Sequence, residues 1–224
     1  MPNTKPNATG FGPGAYEQIE KLSQLRSISV EGLLFAQERG VLVFGKPWGF
    51  EVYAVRDQSG RLIEARCLNG YNFGASGDLP VRTSHVLNGS QLDWPLGILE
   101  ANGCEYLALT QGSIEFLTLH QYVVQERAQG RVGPVSMLSS NLISSDALEL
   151  FKGKHVRIYP SQDKAGIEAR DKWIKQLQLA GARKIEQFNF SAFQSVDGHA
   201  VKDLCEFNRL KLTGGDFAER TILP

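Results

Sequence analysis

The second half of the chain alternates between short apolar runs and amphipathic segments, and this alternation constrains the fold more than any other feature. Apolar runs of strand length are each followed by a segment with helical spacing of apolar residues. Such alternation builds a mainly parallel sheet covered by helices on both faces, so we predict an α/β fold. Strands are predicted at 105–110, 135–138, 156–159 and 184–190, and helices at 114–125, 146–151, 165–179 and 202–210.

The region before this alternation predicts a small α+β lobe. Residues 15–40 have a helical pattern in two pieces, with Ser29 as an N-cap and Gly40 as a stop. Two strand-like runs at 51–55 and 62–68 predict a hairpin, and residues 69–90 form a long glycine-rich loop. The predicted organisation is a flexible lead-in at 1–14, an α+β lobe at 15–100, an α/β domain at 101–212 and a tail at 213–224.

Composition excludes several classes of protein. The chain has 224 residues with 24 Lys+Arg against 24 Asp+Glu, so it does not coat nucleic acid through bulk charge, although a local basic groove remains open. Its three cysteines are far apart, which excludes a zinc ribbon and a disulfide framework. No apolar run approaches the length of a membrane span, so we expect a cytoplasmic protein without a membrane partner.

Carboxylates follow the ends of three predicted strands. Glu115 follows the first strand, Asp163 the third, and Asp203 with Glu206 the fourth. The carboxyl ends of parallel strands meet at one edge of a sheet, where ligands bind. Hard oxygen ligands gathered in this way suit Mg²⁺ or Mn²⁺. Acidic residues near helix N-termini also act as caps, however, and spacing alone leaves both interpretations open.

The motifs at these strand ends are Gln111-Gly112-Ser113-Ile114-Glu115, Ser161-Gln162-Asp163-Lys164-Ala165-Gly166 and Lys202-Asp203-Leu204-Cys205-Glu206. With them, residues 104–207 resemble a Toprim domain, the metal-binding fold of bacterial-type primases, topoisomerases and OLD-type nucleases. The family pattern is a strand ending in Glu-Gly-x-x-Asp, a later strand ending in Asp-x-Asp-x-x-Gly, and a downstream Lys-Asp-Leu-Asn-Asp-like segment.

The preceding region makes the resemblance more specific. The hairpin segments Val55–Ile63 and Ala65-Arg66 are similar to the hairpin that precedes Toprim in primase cores. Trp94–Ala101 resembles the segment that joins that hairpin to the first Toprim strand. The likeness spans about 150 residues in the right order and favours the catalytic core of bacterial and phage-type DNA primases over topoisomerases or nucleases.

The chain departs from the family pattern at its metal site. Gln111 stands where the family has its Glu, and Ser161 stands where it has the first Asp of Asp-x-Asp. Gln cannot take or give a proton near neutral pH, and neither residue carries a charge. The resemblance implies catalytic roles for Gln111, Glu115 and Asp163. It also implies metal binding by Glu115, Asp163, Asp203 and Glu206. Because two charges are missing at Gln111 and Ser161, we expect the site to hold one ion weakly rather than two.

Basic residues in and after the hairpin are candidates for phosphate contacts. By resemblance to primase cores, Arg66 is the first candidate and Arg82 the second, and Lys202 matches the Lys of the downstream motif. Phe73 and Tyr71 offer rings for base stacking, although packing against the hairpin is the favoured interpretation for both. We expect Trp48, Trp94 and Trp173 in the core or between lobes, and Cys104 and Cys205 as small buried hydrophobes.

Three functions follow from the resemblance. The first is a primase-like protein of DNA replication or a mobile element that binds single-stranded DNA and joins nucleotides with Mg²⁺ or Mn²⁺. A helicase or another replication protein is its expected partner. The second is a catalytically silent Toprim module that binds nucleic acid or a partner protein. The third and weakest is a metal-dependent nuclease.

Overall fold

A computed structural model describes residues 9–73, 82–138, 142–194, 198–209 and 222–224, and confirms the predicted α/β class. A smaller lobe with an antiparallel sheet precedes a larger lobe with a parallel sheet. Parts of the predicted lead-in (1–8), of the glycine-rich loop (74–81) and of the last helix and tail (210–221) lie outside the described residues.

Two helices of the small lobe match the sequence prediction. Helix α1 spans Tyr16–Arg26 and helix α2 spans Val30–Glu38. The Ser29 side chain caps α2 by accepting a hydrogen bond from the Gly32 amide at 3.2 Å. Gly40 follows α2 with a φ of +72°, a left-handed conformation that favours glycine and ends the helix.

The antiparallel sheet of the small lobe is larger than the predicted hairpin. Its strands lie in the order β1-β2-β3-β4-β5. The hairpin β3–β4 is confirmed, whereas the other three strands fall in segments where none was predicted. One of them pairs Phe11 with Gly45 and so lies in the predicted lead-in. The strands are β1 (Phe11–Gly12), β2 (Leu42–Gly45), β3 (Val52–Arg56), β4 (Ile63–Cys67) and β5 (His85–Val86).

The large lobe contains four parallel strands in the order β7-β6-β8-β9. Because the chain leaves the central strand β6 toward β7 and later returns to β8 on the other side, helices cover both faces of the sheet. The elements are β6 (Tyr106–Gln111), α3 (Ser113–Gln125), β7 (Val132–Met137), α4 (Ser145–Leu148), β8 (His155–Ile158), α5 (Lys164–Leu179), β9 (Lys184–Gln187) and α6 (Leu204–Arg209), with short 3₁₀ turns at Glu149–Phe151 and Phe190–Ala192.

Alternate residues of β6 belong to two different buried clusters. Leu107 and Leu109 belong to the cluster that includes Trp173 of α5. Ala108 belongs to the cluster that includes Leu119 and Val123 of α3. The strand order, with right-handed crossovers from β6 to β7 and from β8 to β9, places α3 and α5 on opposite faces of the parallel sheet, as the sequence pattern predicted.

The two lobes share a closely packed interface between α2 and α3. A Cβ at Gly32 would lie 2.5 Å from the Cα of Gln121, so only glycine allows the helices to cross this closely. The Gln121 side chain accepts a hydrogen bond from the Ser29 amide at 2.7 Å. The first buried cluster also includes residues of both lobes, such as Leu33 and Phe116. The interface is therefore part of the core.

The last three residues lie on the parallel sheet. Ile222 and Leu223 are both 3% exposed. The Arg157 guanidinium donates to their carbonyl oxygens at 3.0 and 2.8 Å, and the Glu126 carboxylate accepts from their amides. Both backbone donors and both acceptors are thus satisfied, which ties the tail to β8 and to the end of α3.

Among the helices that the structure describes, none has the length and apolar character needed to cross a membrane.

Candidate functional site

The carboxyl ends of the parallel strands form the candidate site, which we call the carboxyl edge. The segment after β6 enters α3 on one face of the sheet, and the segment after β8 enters α5 on the other face. A crevice forms where adjacent strands diverge in this way, and ligands of α/β proteins bind there. Gln111 ends β6, and Ser161 lies in the loop between β8 and α5, so both residues flank this crevice.

Gly112 makes the sharp turn from β6 into α3. Its φ is +103°, and a Cβ at this position would lie 2.5 Å from Oε2 of Glu115. The amide of Gly112 donates to the Met137 carbonyl at 3.0 Å, and the Ser136 hydroxyl donates to the Gly112 carbonyl at 2.9 Å. The positive φ therefore favours glycine at the turn, and the absence of a side chain leaves room for the Glu115 carboxylate to fold back over it.

Glu115 is a half-buried carboxyl with an unusual protonation equilibrium. Burial is the main cause that raises the pKa of Glu115 to about 7, and the neighbouring Asp203 adds to the shift. Arg66 and a hydrogen bond from Cys205 oppose it. This carboxyl is therefore close to half-ionised at neutral pH, and a cation bound there would displace a proton.

Glu115, Asp203 and Cys205 meet at the carboxyl edge. One potential ligand atom from each side chain lies within 4.8 Å of the other two. Cys205 was predicted to be a buried hydrophobe, but the structure places its half-buried thiol beside the two carboxyls. Burial, followed by the charges of Glu115 and Asp203, raises the pKa of Cys205 well above its usual range, so the thiol stays protonated.

The other predicted metal ligands lie outside this group. Among the residues described by the structure, the group of three includes neither Asp163 nor Glu206. Asp163 is exposed and caps α5, since its Oδ1 accepts from the Gly166 amide at 2.6 Å. Glu206 accepts from the Lys202 amide at 2.6 Å. Asp163 therefore caps a helix, the alternative that the sequence left open for it, whereas Glu206 lies within α6 and accepts from the residue before Asp203.

Asp203 both caps a helix and lies beside Glu115. Its Oδ1 accepts a hydrogen bond from the Glu206 amide at 2.7 Å, which caps the six-residue helix α6. The same side chain also belongs to the group with Glu115 and Cys205. Asp163 and Asp203 therefore form a natural pair for comparison, because both cap a helix and only Asp203 lies beside Glu115.

Two adjoining cavities open beside α6. The larger, of about 560 Å³, is lined by residues that include Gln162, Ser191, His199 and Lys202. The smaller, of about 390 Å³, is lined by Lys202, Asp203, Cys205, Glu206 and Arg209. The Lys202 carbonyl accepts from the Gln162 amide at 2.8 Å, which joins the loops after β8 and β9. The exposed Lys202 side chain thus lies between the cavities, where an anionic group would meet it.

Arg66, the first candidate for a phosphate contact, lies at the lobe interface. Its Nε donates to Oε1 of Glu64 at 2.8 Å and to Oγ of Ser113 at 2.9 Å. The Ser113 hydroxyl donates to the same Glu64 oxygen at 2.9 Å. The Arg66 side chain is only 17% exposed, and the three groups join β4 to the first turn of α3.

Arg82, the second candidate, is exposed and lies on the other side of the small lobe's sheet. It pairs with Phe73 through an isolated antiparallel bridge, with backbone hydrogen bonds of 2.8 and 3.0 Å. Phe73 packs against the cluster of buried residues on that face, as predicted, whereas Tyr71 was predicted to pack as well and is instead 73% exposed. Arg82 therefore does not adjoin Arg66 at the lobe interface.

Comparisons with known proteins identify a fold. No protein-family model and no curated protein sequence matches the chain. The chain is similar to the primase fragment of the bacteriophage T7 primase-helicase protein, with a TM-score of 0.51, 17% identity, and coverage of 91% of this chain and 75% of that one. The fold is therefore primase-like.

Two further solved structures are more distantly similar. Primase domains bound to an RNA/DNA hybrid and dTTP, in a bacteriophage T7 complex with the lagging-strand DNA polymerase, match with a TM-score of 0.43 and 20% identity over 73% of this chain and 76% of that one. The zinc-binding and RNA polymerase domains of the Aquifex aeolicus primase match with a TM-score of 0.44 and 17% identity over 79% of this chain and 44% of that one.

Proposed function

We propose that the chain is a primase-like Toprim protein of DNA replication, in a host or a mobile element. It binds single-stranded DNA and joins nucleotides with one divalent ion, Mg²⁺ or Mn²⁺, held by Glu115 and Asp203. The observation that carries the proposal is the meeting of these two carboxyls, from separate loops, at the carboxyl edge of a primase-like fold.

The donor set fits such an ion. Mg²⁺ is commonly held by one or two carboxylates together with water and substrate phosphates, and Glu115 with Asp203 supplies two. The Cys205 thiol stays protonated, so it hydrogen-bonds to Glu115 rather than supplying a further ligand. A bound ion would neutralise phosphate charge during phosphoryl transfer. Gln111 and Ser161 add no charge, so the proposed site binds one ion weakly.

The proposed nucleic-acid contacts surround this pair. Lys202 is exposed between two cavities that both adjoin Glu206, and the smaller also adjoins Asp203, so Lys202 would attract the phosphate of a nucleotide or a template there. Arg66 is positioned by Glu64 and Ser113, so its proposed role is to fix the first turn of α3 and to moderate the charge of Glu115. A helicase or another replication protein remains the proposed partner.

A second candidate function has its own support. Gln111 and Ser161 are uncharged, and the Asp163 carboxylate already caps α5. These features favour a silent Toprim module that binds nucleic acid or a partner protein without catalysis. The two candidates differ in whether the chain makes a primer on the bound DNA when metal and nucleotides are added.

Primer synthesis on single-stranded DNA tests the proposal. Purified chain receives labelled nucleotides with Mg²⁺ or Mn²⁺, and products are compared for wild type, Asp203→Asn and the matched control Asp163→Asn. Asparagine retains an N-cap while removing the charge, so both variants should fold. We expect product from wild type and Asp163→Asn, and at least a tenfold loss in Asp203→Asn if the missing charge supplied about 1.4 kcal/mol or more to the transition state.

Three outcomes would overturn the proposal. Full activity of Asp203→Asn would show that catalysis does not depend on the Glu115–Asp203 pair. Tight binding of single-stranded DNA without any product under either metal would support the silent module. Nicking of plasmid DNA with Mn²⁺, without primer synthesis, would support a nuclease.

A further inference from the structure

Four aromatic side chains meet on the surface of the small lobe, away from the lobe interface. We call them the Trp48 patch: Trp48, Phe50, Phe73 and His85. The Trp48 ring lies 5.4 Å from Phe73 and 5.2 Å from His85, both edge-on, and Phe50 lies 5.9 Å from Phe73. Trp48 is 41% exposed, which differs from its predicted place in the core. Trp94 and Trp173 are 2% and 0% exposed, as predicted.

The patch is not needed to fill the core beneath it. That face of the antiparallel sheet carries a compact buried cluster of Val43, Ala54, Ile63, Ala65 and Leu87, and only Phe73 of the patch packs on it. Phe73 packs against this cluster, whereas Trp48 and Phe50 project from the β2–β3 connection and remain exposed. Two exposed aromatic rings on a surface turn indicate a contact surface rather than a packing requirement.

A cavity of about 350 Å³ opens beside the Trp48 ring. Pro47 and Leu87 supply apolar lining, and His85 and Asn88 supply polar atoms. Flat aromatic walls with a few polar groups suit a ligand that is itself flat, with an apolar face and a hydrogen-bonding edge. A nucleobase has this chemistry, and every base presents such a face.

Positive charge flanks the patch on two sides. Arg82 pairs with Phe73 across an antiparallel bridge, so the two side chains leave the sheet on the same face. Lys46 precedes Trp48 by two residues, and its side chain is 62% exposed. The nearby Glu51 carboxylate is shared by Lys21 at 3.1 Å and Lys46 at 3.5 Å, so the lysines offset its negative charge. This arrangement favours a polyanion over an acidic or purely apolar partner.

We propose that the Trp48 patch binds single-stranded nucleic acid by stacking a base on Trp48, with Arg82 and Lys46 contacting the flanking phosphates. The inference rests on the proposed function, which requires single-stranded DNA, and adds a subsite on the small lobe. Stacking accepts any base, so the subsite holds the strand without reading its sequence.

Intrinsic tryptophan fluorescence tests this subsite directly. Because the other two tryptophans are buried, quenching by an added ligand reports on Trp48. The full chain is titrated with an oligothymidylate and with an abasic oligonucleotide of the same length. We expect the oligothymidylate to quench the fluorescence and the abasic strand to leave it nearly unchanged, because only the former can stack.

Affinity measurements complete the test. Fluorescence anisotropy of a labelled oligothymidylate compares wild type with Trp48→Ala, Trp48→Phe and Leu179→Ala, whose leucine is 89% exposed at the end of α5. Stacking of one base predicts about a tenfold weaker Kd for Trp48→Ala, which is equivalent to about 1.4 kcal/mol. Trp48→Phe should retain most of the affinity, and Leu179→Ala should equal wild type.

The outcomes separate this inference from the proposed function. Wild-type affinity in Trp48→Ala, or equal quenching by the abasic strand, would overturn the subsite even if primers are made. Base-dependent quenching in a chain that makes no primers would support the subsite and overturn catalysis. No quenching by the oligothymidylate at concentrations that saturate binding would likewise overturn the inference.

Discussion

The lobe interface and the carboxyl edge each contain a glutamate that is at least half-buried, but the surroundings of the two carboxyl groups differ. At the interface, Glu64 is 4% exposed and its carboxylate accepts hydrogen bonds from both Arg66 and Ser113. At the carboxyl edge, Glu115 lies beside Asp203 and has a pKa raised to about 7. The first carboxylate is fully compensated by its partners, whereas the second is held where a charge is unfavourable.

This difference distinguishes a carboxylate that positions the lobes from a carboxyl pair that could bind a ligand. A buried charge that has a cation and a hydroxyl as partners positions the elements around it, and removing a partner is strongly destabilising. A half-buried carboxyl beside a second carboxyl, with its pKa raised, suits a ligand that brings positive charge. Arg66, which was predicted to contact phosphate, makes hydrogen bonds of the first kind, to Glu64 and Ser113.

The largest expected effect is on the interface. Glu64→Ala leaves the Arg66 guanidinium and the Ser113 hydroxyl without their acceptor, so we expect the free energy of unfolding to fall by about 3 kcal/mol. Chemical denaturation measures this loss. Glu51→Ala is the matched control, because the Glu51 side chain is 35% exposed and its ion pairs with Lys21 and Lys46 should contribute less than about 1 kcal/mol. Equal losses in both variants would remove the distinction between the two kinds of carboxylate.

The pH dependence of stability should run in opposite directions in the two regions. At the interface, His120 is fully buried, donates from Nδ1 to the Phe116 carbonyl and accepts at Nε2 from Arg39. Burial, followed by Arg39, lowers the pKa of His120 to about 3. The unfolded chain takes up a proton on His120 near pH 6.5, whereas the folded chain does not. The free energy of unfolding should therefore fall by about 3 kcal/mol as the pH falls from 6.5 to 4. His120→Gln should show a shallower acid decline.

Glu115 should have the opposite effect in metal-free protein. Its folded pKa of about 7 lies above the ordinary value of 4.5, so the folded state holds the proton more tightly. The associated stability is present below pH 4.5 and is lost as the pH rises through 7, by about 3 kcal/mol. The difference in unfolding free energy between wild type and Glu115→Gln, followed from pH 5 to 8, measures this effect. A constant difference over that range would contradict the assigned pKa.

Sequence reasoning predicted most of the large lobe because each of its elements has a periodic signal. The four parallel strands and the long helix α5 follow the predicted order. Strand β7 begins at Val132 rather than Val135, since β7 is an edge strand where Pro134 is tolerated without an amide donor. Strand β2 was not predicted, because the short apolar run Leu42-Val43-Phe44 has no alternation to distinguish it from a loop or a helix.

The candidate site was predictable only in part. The approach of Glu115 to Asp203 followed from strand order, because both lie after parallel strands. The thiol of Cys205 could have been suspected from its place two residues after Asp203. The exposure of Trp48 and the position of Arg66 depend on how the two lobes and the small sheet pack, which a single sequence does not specify.

Thermal unfolding with increasing Mn²⁺ or Mg²⁺ tests most directly whether the carboxyl edge binds an ion. We expect Tm to rise with metal concentration for wild type and Asp163→Asn, by an amount equivalent to about 1.4 kcal/mol at ten times the Kd. The rise should be absent in Asp203→Asn and larger at pH 8 than at pH 6, because Glu115 must lose its proton. An unchanged Tm in wild type, or equal stabilisation of Asp203→Asn, would contradict an ion site formed by Glu115 and Asp203.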